Sequence, residues 1–402
     1  MDLMDLSPDF ILPDDKTAGL LVGRAWLPAG PANPVAGPSP VLLDGDQARD
    51  LSGLAPTIAQ LLELPELAGR LAAARGDGGL PAVGSVAALL ANAAWDKRDP
   101  AQPYFLAPAD LQALRASGVT FVDSMLERVI EEQAKGDPAL ADAIRAGLQK
   151  EIGTELAALK PGSPEAARLK ASLIERGQWS QYLEVGIGPD AEIFTKSQPM
   201  SAVGTGAEIG ILKSSVWNNP EPEVAVVVNS RGEIVGATLA NDVNLRDVEG
   251  RSALLLGRAK DNNASCAIGP FIRILDDGFT LDDLRNVVIE VEVAGEHDGF
   301  RIADSYPLTA ISRDVTELVA QALNADHQYP DGLVLLLGTM FAPIQDRDKP
   351  GEGFTHKLGD RVTIRAKQLG ALVNRVNHCD RIAPWTFGTA ALLRNLAARK
   401  LL

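Results

Sequence analysis

Hydrophobic and polar positions change their spacing twice along the chain. From about Leu20 to Leu106, short apolar pieces such as Val41-Leu42-Leu43 alternate with Ala, Gly and Pro, and Gly30-Pro31-Ala32-Asn33-Pro34 reads as a loop. These runs predict a small domain of short strands with one helix near Ala55 to Ala74. From Ala107 to Gly177 the spacing is helical. Asp110 is a suitable N-cap, and apolar residues recur at helical intervals from Leu140 to Leu159. From Trp179 onward the period shortens to that of strands: Val224 to Val228, Glu233 to Ala237 and Val287 to Val291 are bounded by Asn, Gly and Asp. Helices there are brief, as in Val315 to Leu323, and no repeat of solenoid or propeller length is visible. The predicted fold is α+β, with a small N-terminal domain over 1–106, a helical connecting or lid segment over 107–178, and a β-rich domain over 179–402 that carries the chemistry.

Composition narrows the functional classes. The chain has 402 residues, 46% of them hydrophobic and 23% charged, which is the balance of a folded globular protein with a sizeable core. Lys and Arg number 38 against 53 Asp and Glu, a formal net charge of −15. That excess repels phosphate, so neither a nucleic acid nor a membrane is an expected partner. The two cysteines, Cys266 and Cys379, make neither a disulfide framework nor a cysteine zinc site. Met1-Asp2-Leu3-Met4-Asp5 is acidic where a signal peptide is basic, and the most apolar run, Leu333 to Leu337, is too short to cross a bilayer. A cytoplasmic metabolic protein acting on a small molecule is the expectation.

The richest chemistry lies in Asn219-Pro220-Glu221-Pro222-Glu223, an apolar strand, the turn Asn229-Ser230-Arg231-Gly232, a second strand, and Asn241-Asp242. Residues two apart in a strand share a face, so Glu221 and Glu223 point the same way. A hairpin turning in two or four residues puts Asp242 on that face too, opposite or diagonal to Glu221; a three-residue loop reverses it. The same face continues through Ala225, Val227, Thr238, Gly236 and Ile234, which reads as buried. Three buried carboxylates need a cation among them. An oxygen-rich site suits Mg²⁺ or Mn²⁺ rather than zinc or copper.

This hairpin, the return Asn241-Asp242-Val243-Asn244-Leu245-Arg246-Asp247, and Lys260 ahead of Gly269-Pro270 resemble the fumarylacetoacetate hydrolase superfamily. Gly338-Thr339 and Leu358-Gly359-Asp360-Arg361-Val362-Thr363-Ile364 extend the resemblance, which covers roughly Trp179 to Arg375. It implies a mixed β-sandwich roll for the β-rich domain, Glu221, Glu223 and Asp242 as metal ligands, and Lys260 reaching the metal shell or the substrate. A homodimer or homotetramer is also implied.

Within the superfamily the chain is more similar to the 2-keto-3-deoxy sugar acid dehydratases. These carry a further acidic residue on the strand before the pair, a place taken by Glu192 in Ala191-Glu192-Ile193-Phe194-Thr195-Lys196. Where the hydrolases tend to have Gln, this chain has Glu249. The hydrolases use a His, and a Glu three residues later, to activate water. In Thr120 to Glu127 the His position is Ser124, while Glu127 fits. The resemblance therefore implies a Mg²⁺-dependent dehydratase converting a 2-keto-3-deoxy-pentonate to 2,5-dioxopentanoate in non-phosphorylative pentose catabolism. The alternative is a metal-dependent hydrolase or decarboxylase of 2,4-diketo acids. Lys260 and Glu127 are the expected acid and base, in either order, and Glu192 joins the three metal ligands. Arg246, Glu249, Thr339, Ser124 and Lys196 are expected at the substrate, with neutralisation of Glu192 as the other role for Lys196. A carboxylate at every ligand position disfavours a non-catalytic binding protein.

Four histidines, His297, His327, His356 and His378, are not spaced to form a helical zinc pair. His327 reads as a loop residue that could line the site, and Cys266 as a small buried hydrophobe. Gly204 to Gly210 lacks the spacing of a dinucleotide loop.

Overall fold

The Pro222–Val228 strand lies at the heart of the molecule, and its alternation divides two cores. Val224, Val226 and Val228 enter one apolar cluster, while Ala225 and Val227 enter another on the opposite face. A strand buried on both faces must lie inside a sheet with cover on each side. The structure is a computed structural model describing residues 5–30, 33–134, 159–175, 177, 179–349 and 353–402, the side chains of residues 123, 124 and 131 excepted. Among the described residues, eleven strands form one sheet. Around its centre the order is Leu21–Leu27, Cys266–Ile274, Ile234–Asp242, Pro222–Val228, Leu333–Leu336, Ala113–Gly118 and Glu192–Ser197. The Leu333–Leu336 and Ala113–Gly118 strands run parallel, whereas the pairs flanking them are antiparallel. A five-stranded sheet ordered Arg301–Pro307, Val288–Ala294, Arg361–Ala366, Gly370–His378 and Glu208–Ile211 contributes to the same core as Val224, Val226 and Val228 of the large sheet.

Four expectations change here. The 107–178 segment is not wholly helical, because Ala113–Gly118 is a strand of the large sheet. Its sequence, Ala-Leu-Arg-Ala-Ser-Gly, has no β-branched residue, and pairing rather than propensity makes it a strand. Asp110 caps a helix, but not a following one. Its carboxylate accepts the N–H groups of Ile58 (2.6 Å) and Ala59 (3.0 Å), at the start of the Ile58–Leu62 helix. The predicted single helix of 55–74 is two, Ile58–Leu62 and Leu67–Gly76, divided at Glu66, whose φ is +54°. The expected N-terminal domain shares its sheet with the rest of the chain, since Leu21 and Val22 pair with Arg273 and Ile272. Helices Val122–Ala134, Pro164–Glu175 and Gln181–Ile187 pack around their own apolar cluster. The helical spacing read in Leu140 to Leu159 falls, apart from Leu159, outside the described residues.

Candidate metal centre and active site

The carboxylates meet because of an irregularity in the hairpin. The loop closes through three residues, Ser230, Arg231 and Gly232, with Asn229 N–H donating to Glu233 C=O at 3.1 Å. Such a loop alone would turn Asp242 to the wrong face. A β-bulge restores the register: Val228 pairs with Ile234, but Val227 pairs with Gly236, leaving Val235 unpaired. From there the pairing runs regularly to Pro222 and Asn241, and Asp242 N–H donates to Glu221 C=O at 3.0 Å. The turn thus differs from the expected two or four residues, and the placement of Asp242 stands.

Ligand oxygens of Glu221, Glu223 and Asp242 all lie within 4.8 Å of one another, and each residue is no more than 3% exposed. Glu192, on the strand beyond Gly118, is a wall of the same pocket but stands outside that close group. Two glycines make the convergence possible. A Cβ on Gly118 would sit 2.0 Å from a Glu192 carboxylate oxygen, and one on Gly338 would sit 2.0 Å from Thr120 Oγ1. Gly338 also has φ +93°, and its N–H donates to Glu223 at 2.6 Å.

Cations surround the acids. Lys260 donates to Glu221 and, at 3.1 Å, to Asp242. Lys196 pairs with the other Asp242 oxygen at 2.9 Å. Arg128 pairs with Glu221 and, at 2.9 Å, with Glu249. Burial pushes the Glu223 carboxyl well above its ordinary range, reinforced by Asp242 and Glu221. Burial, and then Glu249, push Glu192 up to about 7. Burial acts the same way on Asp242, but Lys196 and Lys260 overcome it and hold that carboxyl below its usual range. Burial would lower the Lys260 ammonium, and Asp242 and Glu221 outweigh it, so this lysine stays protonated.

Five carboxylates (Glu192, Glu221, Glu223, Asp242 and Glu249) therefore meet three cations, an excess of two negative charges when all are ionised. One divalent cation cancels that excess, and an all-oxygen donor set suits Mg²⁺. The pocket volume is about 20 Å³, which is room for one ion or water and not for a five-carbon acid.

Other expected residues are placed differently. Lys196 is fully buried behind Asp242, where it also donates to the Val243 carbonyl at 3.3 Å; it is not a pocket wall and does not neutralise Glu192. Arg246 and Glu127 form a pair at 3.5 Å outside the pocket wall. The Arg246 guanidinium stacks 4.5 Å over Trp217 and donates to the Pro343 carbonyl at 3.2 Å. Thr339 and Glu249 do line the pocket. Ser124 belongs to the Val122–Ala134 helix, and its side chain lies outside the described residues. His327 lies in an exposed loop, while His356 is buried with Nδ1 3.0 Å from Asp360. Cys266 packs in an apolar cluster.

Sequence reasoning missed Arg128, Phe194 and Tyr306. Arg128 directly follows Glu127 but reaches an acid 93 residues away, which no local pattern reveals. Phe194 lies beneath Lys260, its ring centre 5.6 Å from the ammonium. Tyr306 donates to the Pro222 carbonyl and lies 3.2 Å from Thr339 Oγ1.

Residues 181–377, just under half of the chain, match the family described as Fumarylacetoacetate (FAA) hydrolase C-terminal. Among individual relatives, it is 34% identical over 188 residues to the 2-dehydro-3-deoxy-D-arabinonate dehydratase of Saccharolobus solfataricus, covering 46% of this chain and 58% of the relative. It is 34% identical over 196 residues to the probable 2-keto-3-deoxyxylonate dehydratase of Haloferax volcanii, covering 48% of this chain and 63% of that one. The matched stretches thus span about three-fifths of these relatives' lengths. Among solved structures, the apo form of 2-keto-3-deoxy-D-arabinonate dehydratase superposes with a TM-score of 0.59 at 20% identity, covering 89% of this chain and 99% of that one. The form complexed with magnesium and 2,5-dioxopentanoate gives 0.57 at 21%, with the same coverage. These superpositions establish a shared fold.

Proposed function

We propose that this chain is a Mg²⁺-dependent hydro-lyase that dehydrates a 2-keto-3-deoxy-pentonate to 2,5-dioxopentanoate. The observation that carries the reading is the buried convergence of Glu221, Glu223 and Asp242 beside a protonated Lys260. The similarity to two sugar-acid dehydratases supports the choice of substrate class.

Glu221, Glu223 and Asp242 would hold the ion. A divalent cation there supplies concentrated positive charge, which lowers the cost of removing a proton beside a carbonyl. Lys260 stands with its proton retained and can deliver it to the departing C4 hydroxyl, so that water leaves. Glu192, which lines the pocket where Glu127 does not, is the carboxylate suited to accept the C3 proton, since burial brings it near neutrality. Loss of water followed by tautomerisation gives the dioxo acid. Arg128 fills the space beside Glu221 and Glu249, and must swing aside before a five-carbon acid enters. In the oligomeric assembly implied by the family resemblance, each chain would carry its own carboxylate set.

The test is turnover of the purified protein on 2-keto-3-deoxy-pentonate. Product is expected with Mg²⁺ and none with EDTA. Turnover that survives Glu221→Ala would remove the metal assignment.

A further inference from the structure

A second cavity lies apart from the carboxylates. It has a volume of about 630 Å³ and lies between the N-terminal strands and the C-terminal tail, sharing no wall residue with the acidic pocket. That volume is typical of sites for small organic ligands.

Its construction follows from strand alternation. Arg24 and Trp26 are two apart on the Leu21–Leu27 strand, so both face the cavity, while Ala25 points into an apolar core. Trp26 pairs across the sheet with Tyr104, their rings stacked with centres 6.3 Å apart. Phe387, from the tail, meets Trp26 edge-on at 5.4 Å. Trp95 and Trp385 stand at the mouth, 41% and 45% exposed.

The charge on these walls is unusual for so acidic a chain. Arg24 is only 5% exposed, yet it makes no ion pair among the described residues. Its guanidinium donates to the Ala109 carbonyl at 3.1 Å and to the Met200 sulfur at 3.9 Å, which leaves a buried cation with weak partners. The nearby Asp110 carboxylate is already taken up capping a helix. Arg98 and Arg381 add positive charge at the rim. The one carboxylate in the wall, Glu208, is paired with Arg375 at 3.1 Å and bonded by Asn377 at 2.8 Å.

We propose that this cavity binds a planar aromatic or heteroaromatic anion, its ring against Trp26, Tyr104 and Phe387 and its acid group on Arg24. A buried guanidinium with no carboxylate in hydrogen-bond contact gains most from a bidentate acid group, and ring faces add stacking. This site is independent of the dehydratase reading.

The test is titration calorimetry of the full chain with 2-naphthoate and with the neutral 2-naphthamide. Naphthoate is expected to bind at least 10-fold more tightly than the amide. Arg24→Met should weaken naphthoate binding at least 10-fold. Trp385→Ala, at an exposed position, should weaken it several-fold with the fold intact, and Glu223→Gln should leave it unchanged. Equal binding of acid and amide, or no heat with either, overturns the proposal. So does light scattering that shows a dimer lost in Trp385→Ala, together with no naphthoate binding, because the face is then covered by a second copy of the chain.

Discussion

Asp242 stands directly across the hairpin from Glu221, its N–H donating to the Glu221 carbonyl at 3.0 Å. Two departures from a regular hairpin combine to produce this pairing. The three-residue loop shifts the register by one, and the bulge at Val235 shifts it back. Because side chains alternate with period two, either change alone would send Asp242 into the valine core on the other face. Both oxygens of Glu221 are claimed by cations, Arg128 and Lys260, so the site is tightly balanced in charge.

Each member of the close carboxylate group is expected to matter for metal affinity. Glu223→Gln keeps the Gly338 N–H bond through its amide oxygen but removes a charge. Calorimetric titration with Mg²⁺ should show binding weakened on the order of 100-fold, about 2.7 kcal/mol. An unchanged affinity would move the ion elsewhere.

Gly118→Ala separates proton transfer from metal binding. The new Cβ would fall 2.0 Å from a Glu192 oxygen, which lies at the free end of a flexible side chain. Glu192 should therefore be displaced at a stability cost of about 1 kcal/mol. Turnover is expected to drop at least 10-fold while Mg²⁺ affinity stays within 3-fold. Full activity in this variant would take the proton-accepting role away from Glu192.

Arg128→Met removes one of the two cations that hold Glu221 and the cation paired with Glu249. Thermal or urea unfolding without metal should show a loss of about 3 kcal/mol. Mg²⁺ should bind more tightly than to the wild type, since a competing cation has gone, and should raise the melting temperature further. A weaker affinity for Mg²⁺ would show that Arg128 assists the ion rather than competing with it.

Away from the site, Arg347, in the segment that follows Thr339, grips Asp360 (2.6 and 2.7 Å) and Asp298 (3.0 Å). Burial works against the Asp360 carboxylate, but Arg347 and His356 hold it below its ordinary range. Arg347 does the same for Asp298. Both acids thus have a lower pKa folded than unfolded, where it is about 3.9. Their contribution is complete above about pH 5 and is lost as pH falls below about 4. The stability gap between wild type and Arg347→Met is expected near 3 kcal/mol at pH 7, narrowing toward pH 3. A gap that stays constant over that range would contradict the coupling.

The carboxylate hairpin was legible in the sequence because strand period and local pairing are short-range properties. The alternation of Glu221, Glu223, Ala225 and Val227 alone put the acids on one buried face. What stayed hidden depends on distant contacts. The Ala113–Gly118 strand owes its state to Leu333–Leu336, some two hundred residues away, and its residues read as helix formers. Lys196 reaches Asp242 and Arg128 reaches Glu221 only once the sheet has assembled. Family resemblance supplied the expected roles of Arg246 and Glu127, but the fold pairs these residues with each other outside the pocket. The predicted boundary at residue 106 follows a real change of texture that the large sheet ignores.

The most direct measurement offers the D and L forms of 2-keto-3-deoxy-pentonate separately to the purified protein, with Mg²⁺ or with EDTA, and follows the carbon skeleton by NMR. One enantiomer should give 2,5-dioxopentanoate, with no product under EDTA. Neither enantiomer reacting, while a 2,4-diketo acid is cleaved to pyruvate, would contradict the dehydratase reading and assign these carboxylates to carbon–carbon bond cleavage.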